Sequence, residues 1–238
     1  ELGNIQRAIW QAEGGEKAKT PYGFMATMGG LGPAATRQHY DEAVRRELER
    51  EQSRWSQAPE RTQGWDFVRW LARDAQAASA RLAVENGWFA GEKKLVKETV
   101  EITALPARQM RRAIDFKITL EAVSAPVELE GEPTQEKGYG GFSVRFAPRQ
   151  DTVVTTDKGV QARDTDMVPH PWAQLEGTFG GRRAGLRIDI DPANRGFPNG
   201  WCLRNYGFLG VNFPGRKIFT LQPGSPLTLK YRVTVFAK

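Results

Sequence analysis

The sequence predicts an α+β chain, with a helical N-terminal region over residues 1–88 followed by an antiparallel β-sandwich over residues 92–238. Two changes along the chain carry this reading. Apolar residues recur at helical spacing through about the first 85 positions, and from Lys94 the period shortens to two. The later stretch is also cut into short runs by glycine and proline, the punctuation of a sandwich.

In the first part, Ile5, Ala8, Ile9 and Ala12 follow an i, i+3, i+4, i+7 pattern that Gly14-Gly15 stops. A glycine-rich stretch runs from Tyr22 to Pro33. Thr36 is placed to cap a second helix carrying Tyr40, Val44, Leu48 and Trp55, closed by Ala58-Pro59. A third helix is predicted from about Gly64 to Leu82, with Phe67, Val68, Leu71, Ala75, Ala78 and Leu82 on one stripe. In the second part, Ile114, Phe116, Ile118 and Leu120 alternate with Asp115, Lys117, Thr119 and Glu121, as on a half-buried antiparallel strand. Phe142, Val144 and Phe146 repeat the pattern. So do Ala184 to Ile190, with Asp189 on the polar side, and Leu227 to Phe236.

Composition narrows the function. The 238 residues allow one large or two small domains. No apolar run approaches the roughly 20 residues of a membrane span, and no signal-peptide pattern is present. Either a leader has been removed, which implies a periplasmic or secreted protein, or the chain is cytoplasmic or a piece of something longer. Cys202 is the single cysteine and His39 and His170 the two histidines, so no disulfide, thiolate cluster or histidine-rich metal site is expected, nor any cofactor. Residues 1–90 hold 12 basic and 12 acidic side chains, and the remainder 22 against 16, so the net charge of +6 belongs to the β part. Its basic residues alternate with apolar ones along strands instead of clustering with aromatics, which argues against nucleic acid as a partner. Nothing fixes an oligomeric state.

The segment from Asp191 to Trp201 holds two prolines, two glycines and two asparagines, so it is an irregular loop after a strand. It leads into Leu203-Arg204-Asn205-Tyr206-Gly207. Trp172, Trp201, Asn194, Arg204, Asn205 and Tyr206 are the candidate ligand-binding residues of this part. The competing reading makes both tryptophans core plugs. Asp191, at the strand-to-loop junction, and His170, held between Pro169 and Pro171, are the acid–base candidates of this half.

Over about residues 92–238 the chain resembles the PmoA-like ("methane oxygenase PmoA-like") family of soluble β-sandwich proteins. The resemblance is carried by Pro192, Asn194, Pro198, Trp201, Arg204, Tyr206 and Gly207, with Gly185 to Ile188 and Leu227 to Val235 as flanking strands. Asp191 and Cys202 stand where many members have histidine, so no role of those histidines is carried over. Residues 1–90 offer no counterpart of the family's N-terminal β half. The resemblance implies a part of a galactose-mutarotase-like sandwich and a carbohydrate or glycoside ligand, bound or modified, with Trp172 and Trp201 stacking on a pyranose face and Asn194, Arg204 and Asn205 bonding its hydroxyls.

Ala8-Ile9-Trp10-Gln11-Ala12-Glu13-Gly14-Gly15, with Tyr22-Gly23, is similar to the catalytic-glutamate segment of lysozyme-like, lytic transglycosylase-type domains. A carboxyl at a helix C-terminus near Trp10 has its ionised form disfavoured by the dipole and by desolvation, which suits a general acid on a glycosidic oxygen. That resemblance implies Glu13 as the acid of a cell-wall glycosidase. Three readings therefore stand at this point: a carbohydrate-related sandwich, a glycosidase using Glu13, and a non-catalytic structural or interaction module.

Overall fold

A computed structural model describes residues 64–76, 78–131 and 138–238. Among them the chain is all-β and antiparallel, not α+β. The strands are β1 (Gly64–Gln76), β2 (Ser79–Ala90), β3 (Lys93–Ala104), β4 (Arg111–Ala122), β5 (Val127–Leu129), β6 (Phe142–Arg145), β7 (Gln150–Thr156) and β8 (Gly159–Val160). There follow β9 (Thr165–Pro169), β10 (Trp172–Phe179), β11 (Arg182–Ile190), β12 (Gly200–Arg204), β13 (Phe208–Val211), β14 (Phe219–Leu221) and β15 (Leu227–Ala237). The helices predicted around residues 5–12 and 36–55, and Glu13 with them, lie outside the described residues.

The third predicted helix is a correction. Gly64 to Leu82 forms β1 and the start of β2, a hairpin in which Trp65 faces Trp88 and Phe67 faces Asn86. The pairing shifts between Phe67 and Arg69 and again between Trp70 and Ala72. Each β-bulge inserts a residue and slips the two-residue alternation by one. The side chains on the face of Trp88 therefore fall at Trp65, Phe67, Trp70 and Arg73, with gaps of two, three and three. Val68 and Leu71, two members of the predicted stripe, stand at the two shifts, so their helical spacing from Phe67 comes from the bulges. The strands expected at Ile114–Leu120, Phe142–Phe146, Ala184–Ile190 and Leu227–Phe236 correspond to β4, β6, β11 and β15.

Nine strands form one sheet in the order β1-β2-β3-β4-β15-β11-β10-β7-β8. A four-stranded sheet, β6-β13-β12-β9, and the pair β14-β5 provide the opposing layer. Between them lies a core that includes Leu175 and Ile188 of the large sheet, Trp201 and Leu209 of the four-stranded one, and Leu129 and Leu221 of the pair. The other face of the large sheet is a field of ion pairs: Lys117 and Arg81 to Glu101, Arg232 to Asp115 and Arg187 to Asp189. Each is worth at most about 1 kcal/mol at such exposed positions.

Glu85 on this face differs in being buried. It accepts from Lys94 Nζ at 2.8 Å and from Arg69 Nε and Nη2 at 3.1 and 2.9 Å. The hydrogen bond from Lys94 and then that from Arg69 hold its carboxyl below the usual glutamate range, against the opposing effect of burial. A folded-state pKa below the unfolded one gives stability that is present at neutral pH and lost as pH falls through the folded value. The urea midpoint is accordingly expected to fall on acidification below about pH 5, where unfolded-chain glutamates begin to bind protons. It is expected to fall less steeply in Glu85→Gln. Parallel pH profiles for the two proteins would remove Glu85 from the acid response.

Candidate functional site

A concavity on the core side of the big sheet has a volume of about 660 Å³. Register explains its floor. On β3 the inward positions are Val96, Glu98, Val100 and Ile102, opposite Ala122, Leu120, Ile118 and Phe116 of β4. The next strand, β15, adds Leu229 opposite Ile118 and Tyr231 opposite Phe116. Trp65 and Trp88 of the bulged hairpin flank one side, and Leu129, Phe142 and Phe213 stand on the opposing layer. Gly140 and Gly141, both at positive φ, bring the chain into β6 with its backbone close against Val211 and Phe213. That approach seats the Phe142 ring on Tyr231, stacked with centroids 4.6 Å apart and 11° between planes.

Within this apolar setting Glu98 is a carboxylate at an inward position. Its Oε2 accepts from Trp65 Nε1 at 2.6 Å and from Asn86 Nδ2 at 2.8 Å. Asn86 is itself buried. Both donors are neutral, and both bonds fall on one oxygen, leaving Oε1 without a hydrogen bond among the described residues. Two further polar atoms on the lining are buried with no hydrogen-bond partner among the described residues, Trp88 Nε1 and the Tyr231 hydroxyl. Burial pushes the Tyr231 phenol well up from its usual pKa, so it is neutral at physiological pH. An unpaired buried N–H or O–H costs about 1–3 kcal/mol. Glu128 and Glu130 of the β5 segment complete the polar lining.

The residues singled out from sequence are distributed differently. Trp201 is fully buried, and its indole N–H donates to the His170 carbonyl at 2.7 Å. His170 is 2% exposed; its Nδ1 lies 2.6 Å from Asp157 Oδ1, and its Nε2 is buried without a partner. The hydrogen bond with His170 lowers the Asp157 pKa. Trp172 has the Arg187 guanidinium 4.0 Å from its ring centroid, so one ring face is covered. Asn194 is buried and bonds the backbone of Lys230 in both directions at 2.8 Å, acting as a surrogate strand partner for β15. Arg204, also buried, donates to the Tyr139 hydroxyl, to the Thr165 carbonyl at 2.8 Å and to Asp166. Cys202 beside it is buried, which raises its thiol pKa. Asn205 bonds Asp164, and Tyr206 is 60% exposed near Arg145.

These residues thus fall into separate groups: His170 with Trp201, Asp191 with Asn194, and Arg204 with Asp166. None of them lines the aromatic cavity. Asp191 caps its own loop through the Ala193 N–H at 2.8 Å and lines a second concavity of about 450 Å³ with Asp189, Lys230 and Arg232. The signal that marks the aromatic cavity in sequence is a single letter, the glutamate in the alternating run Val96-Lys97-Glu98-Thr99-Val100, where the inward phase calls for an apolar residue. Among the described residues no group of three or more His, Cys, Asp or Glu is placed to hold a metal ion, and no helix is long and apolar enough to cross a membrane.

The sequence profile of a family described as "Family of unknown function (DUF6807)" matches residues 44–238. No curated protein matches the chain. Among solved structures, a putative kojibiose phosphorylase from human microbiome is 10% identical, with a TM-score of 0.29. The alignment covers 66% of this chain and 18% of that one, a likeness too slight to bear on fold or chemistry.

Proposed function

The chain belongs to the DUF6807 family, whose function is unknown, and from that premise we propose that it binds a carbohydrate or glycoside in the cavity floored by β3, β4 and β15. One observation carries the reading: Glu98, a carboxylate at an inward position, stands among the rings of Trp65, Trp88, Phe142 and Tyr231 on the lining of one cavity. Sugars match that combination. Their C–H faces pack on aromatic surfaces while their hydroxyls donate to a carboxylate. The expectation of a carbohydrate ligand drawn from the PmoA-like resemblance agrees in chemistry, although its residues lie elsewhere in the fold. Here the protein acts as a binder, with Glu98 orienting the ligand and the rings excluding water.

Two substitutions test this without emptying the core. Trp65→Phe removes the N–H that holds Glu98 and keeps most of the ring, and Glu98→Gln keeps the shape and removes the charge. Each is expected to weaken binding by about tenfold, the worth of one hydrogen bond to a charged or buried group. Titration calorimetry against the tightest ligand from a glycan array measures it. Wild-type protein that binds nothing on a broad array would sink the reading. Binding unaffected by either change would move the site away from this cavity.

A further inference from the structure

We infer that one end of the large sheet is a docking face for an anionic phospholipid bilayer, on which arginines meet the headgroups and Met110 enters the apolar layer. The inference stands apart from the sugar reading. It concerns the end of the sheet that lies about 26 Å along β3 from Val96, at Ala104.

Register builds this face. The β3–β4 turn, the end of β15 and the β10–β11 turn lie side by side, because Arg111 and Arg112 pair with Phe236 and Val235, and Ala184 with Ala237. The Ala237 N–H donates to the Met110 carbonyl at 3.0 Å, and the Lys238 N–H to the Arg183 carbonyl at 2.9 Å. Together these tips carry Arg108, Arg111, Arg112, Arg182, Arg183 and Lys238. No Asp or Glu occurs from position 102 to 114 or from 177 to 188. Glu176 is taken up by Arg183 and Lys238, and Asp151 accepts from the Thr178 hydroxyl. Arg108, Arg111, Arg112 and Arg182 form no ion pair among the described residues. Along the polar face of the same sheet the opposite holds, since Arg81, Lys117, Arg187 and Arg232 are each paired with a carboxylate. Four unneutralised guanidinium groups on one sheet end repel one another, and an anionic surface relieves that repulsion. Each adds about fivefold to partitioning onto such a surface.

The turn between β3 and β4 supplies an independent observation. Gln109 and Met110 form a two-residue loop, closed by the Arg108 N–H on the Arg111 carbonyl at 2.8 Å and by the reverse bond at 2.9 Å. Both residues have positive φ, +47° and +59°, as in the primed hairpin turn that favours asparagine and glycine. Met110 is 72% exposed. An apolar side chain is therefore held in solvent, among arginines, at a position where asparagine or glycine costs less. A bilayer uses both features: headgroup phosphates accept from the guanidinium groups, and the thioether chain leaves water. A nucleic acid would use the arginines and leave Met110 exposed.

The test is co-sedimentation of the full chain at low salt with large unilamellar vesicles. Phosphatidylcholine alone is compared with phosphatidylcholine holding about 30 mol % phosphatidylglycerol. Partitioning is expected to be at least about tenfold stronger on the anionic vesicles, with the advantage shrinking as salt is raised. Arg112→Gln and Arg182→Gln are each expected to weaken it about fivefold. Lys93→Gln, the same change of charge at the far end of β3, is expected to leave it unchanged. Met110→Asn suits the turn, so it is expected to keep at least the wild-type urea midpoint while partitioning about fivefold less. Equal sedimentation with both vesicles, or none with either, overturns the inference. So does a loss in Lys93→Gln that matches the loss in Arg112→Gln, or wild-type partitioning by Met110→Asn. Duplex DNA bound through these arginines by a protein that ignores both vesicles also overturns it. The sugar titrations are a separate measurement, so either reading can fail without the other.

Discussion

Trp201→Ala is expected to destabilise the sandwich by about 3–5 kcal/mol, the range for deleting a large ring from a packed core. The side chain is wholly buried between the layers, on a strand whose neighbours at Leu203 and Leu209 are buried as well. Its removal leaves a cavity, and it also strips the His170 carbonyl of the donor it holds at 2.7 Å. Trp201→Phe separates the two contributions. It restores most of the volume and leaves the carbonyl unsatisfied, so it is expected to cost about 1–3 kcal/mol. Urea denaturation followed by fluorescence reads both. A loss below about 1 kcal/mol for the alanine variant would contradict the burial, and with it the placement of β12 against the large sheet.

The second large effect is expected at Gly141. Its φ is +79°, in the left-handed region, and a Cβ built there would lie 2.6 Å from the Val211 carbonyl oxygen and 2.8 Å from the Phe213 nitrogen. Both obstacles are backbone, so the strand itself has to move. Gly141→Ala is expected to cost about 3 kcal/mol, combining backbone strain with the displaced strand. It is also expected to abolish ligand binding in the cavity, because Phe142 is the next residue and its ring is stacked on Tyr231. Gly180→Ala is the control. Its φ is also positive, at +54°, but nothing lies within 4 Å of the added carbon, so it carries strain alone, about 1 kcal/mol. Equal losses at the two sites would mean that the close approach at Gly141 does not hold.

Several strands were legible because their phase is unbroken. In β4 and β15 every second residue is apolar, and the face of Tyr231 follows directly from Leu227, Leu229 and Val233. β1 was not legible, since its two bulges disguise the alternation and only its pairing with β2 reveals it. The site was hidden for a related reason. Trp65 and Trp88 belong to that misread hairpin, and Glu98 becomes conspicuous only when its strand is known to face a cavity. The Asp191–Tyr206 loop drew attention through its composition. In the structure its residues are spent on turns and caps, as with Asn194 on Lys230 and Asp191 on Ala193. Glycine, proline and asparagine mark an irregular backbone in sequence, but not what the irregularity serves.

The position of β15 has a consequence for the order in which the molecule assembles. Though it follows every other described strand in sequence, it lies near the middle of the large sheet, paired to β4 on one side and β11 on the other. Its bridge from Asp115 to Arg232 spans 117 residues. On the ribosome, β1 to β4 can form as a meander of local hairpins, and so can β10 with β11, but these two ribbons have no shared edge until β15 arrives. Until then each exposes an open strand edge, which is prone to aggregate. High contact order slows the closing step as well. The strand that supplies Tyr231 to the cavity is therefore also the one that turns two separate ribbons into a single sheet, so the site and the finished fold appear together.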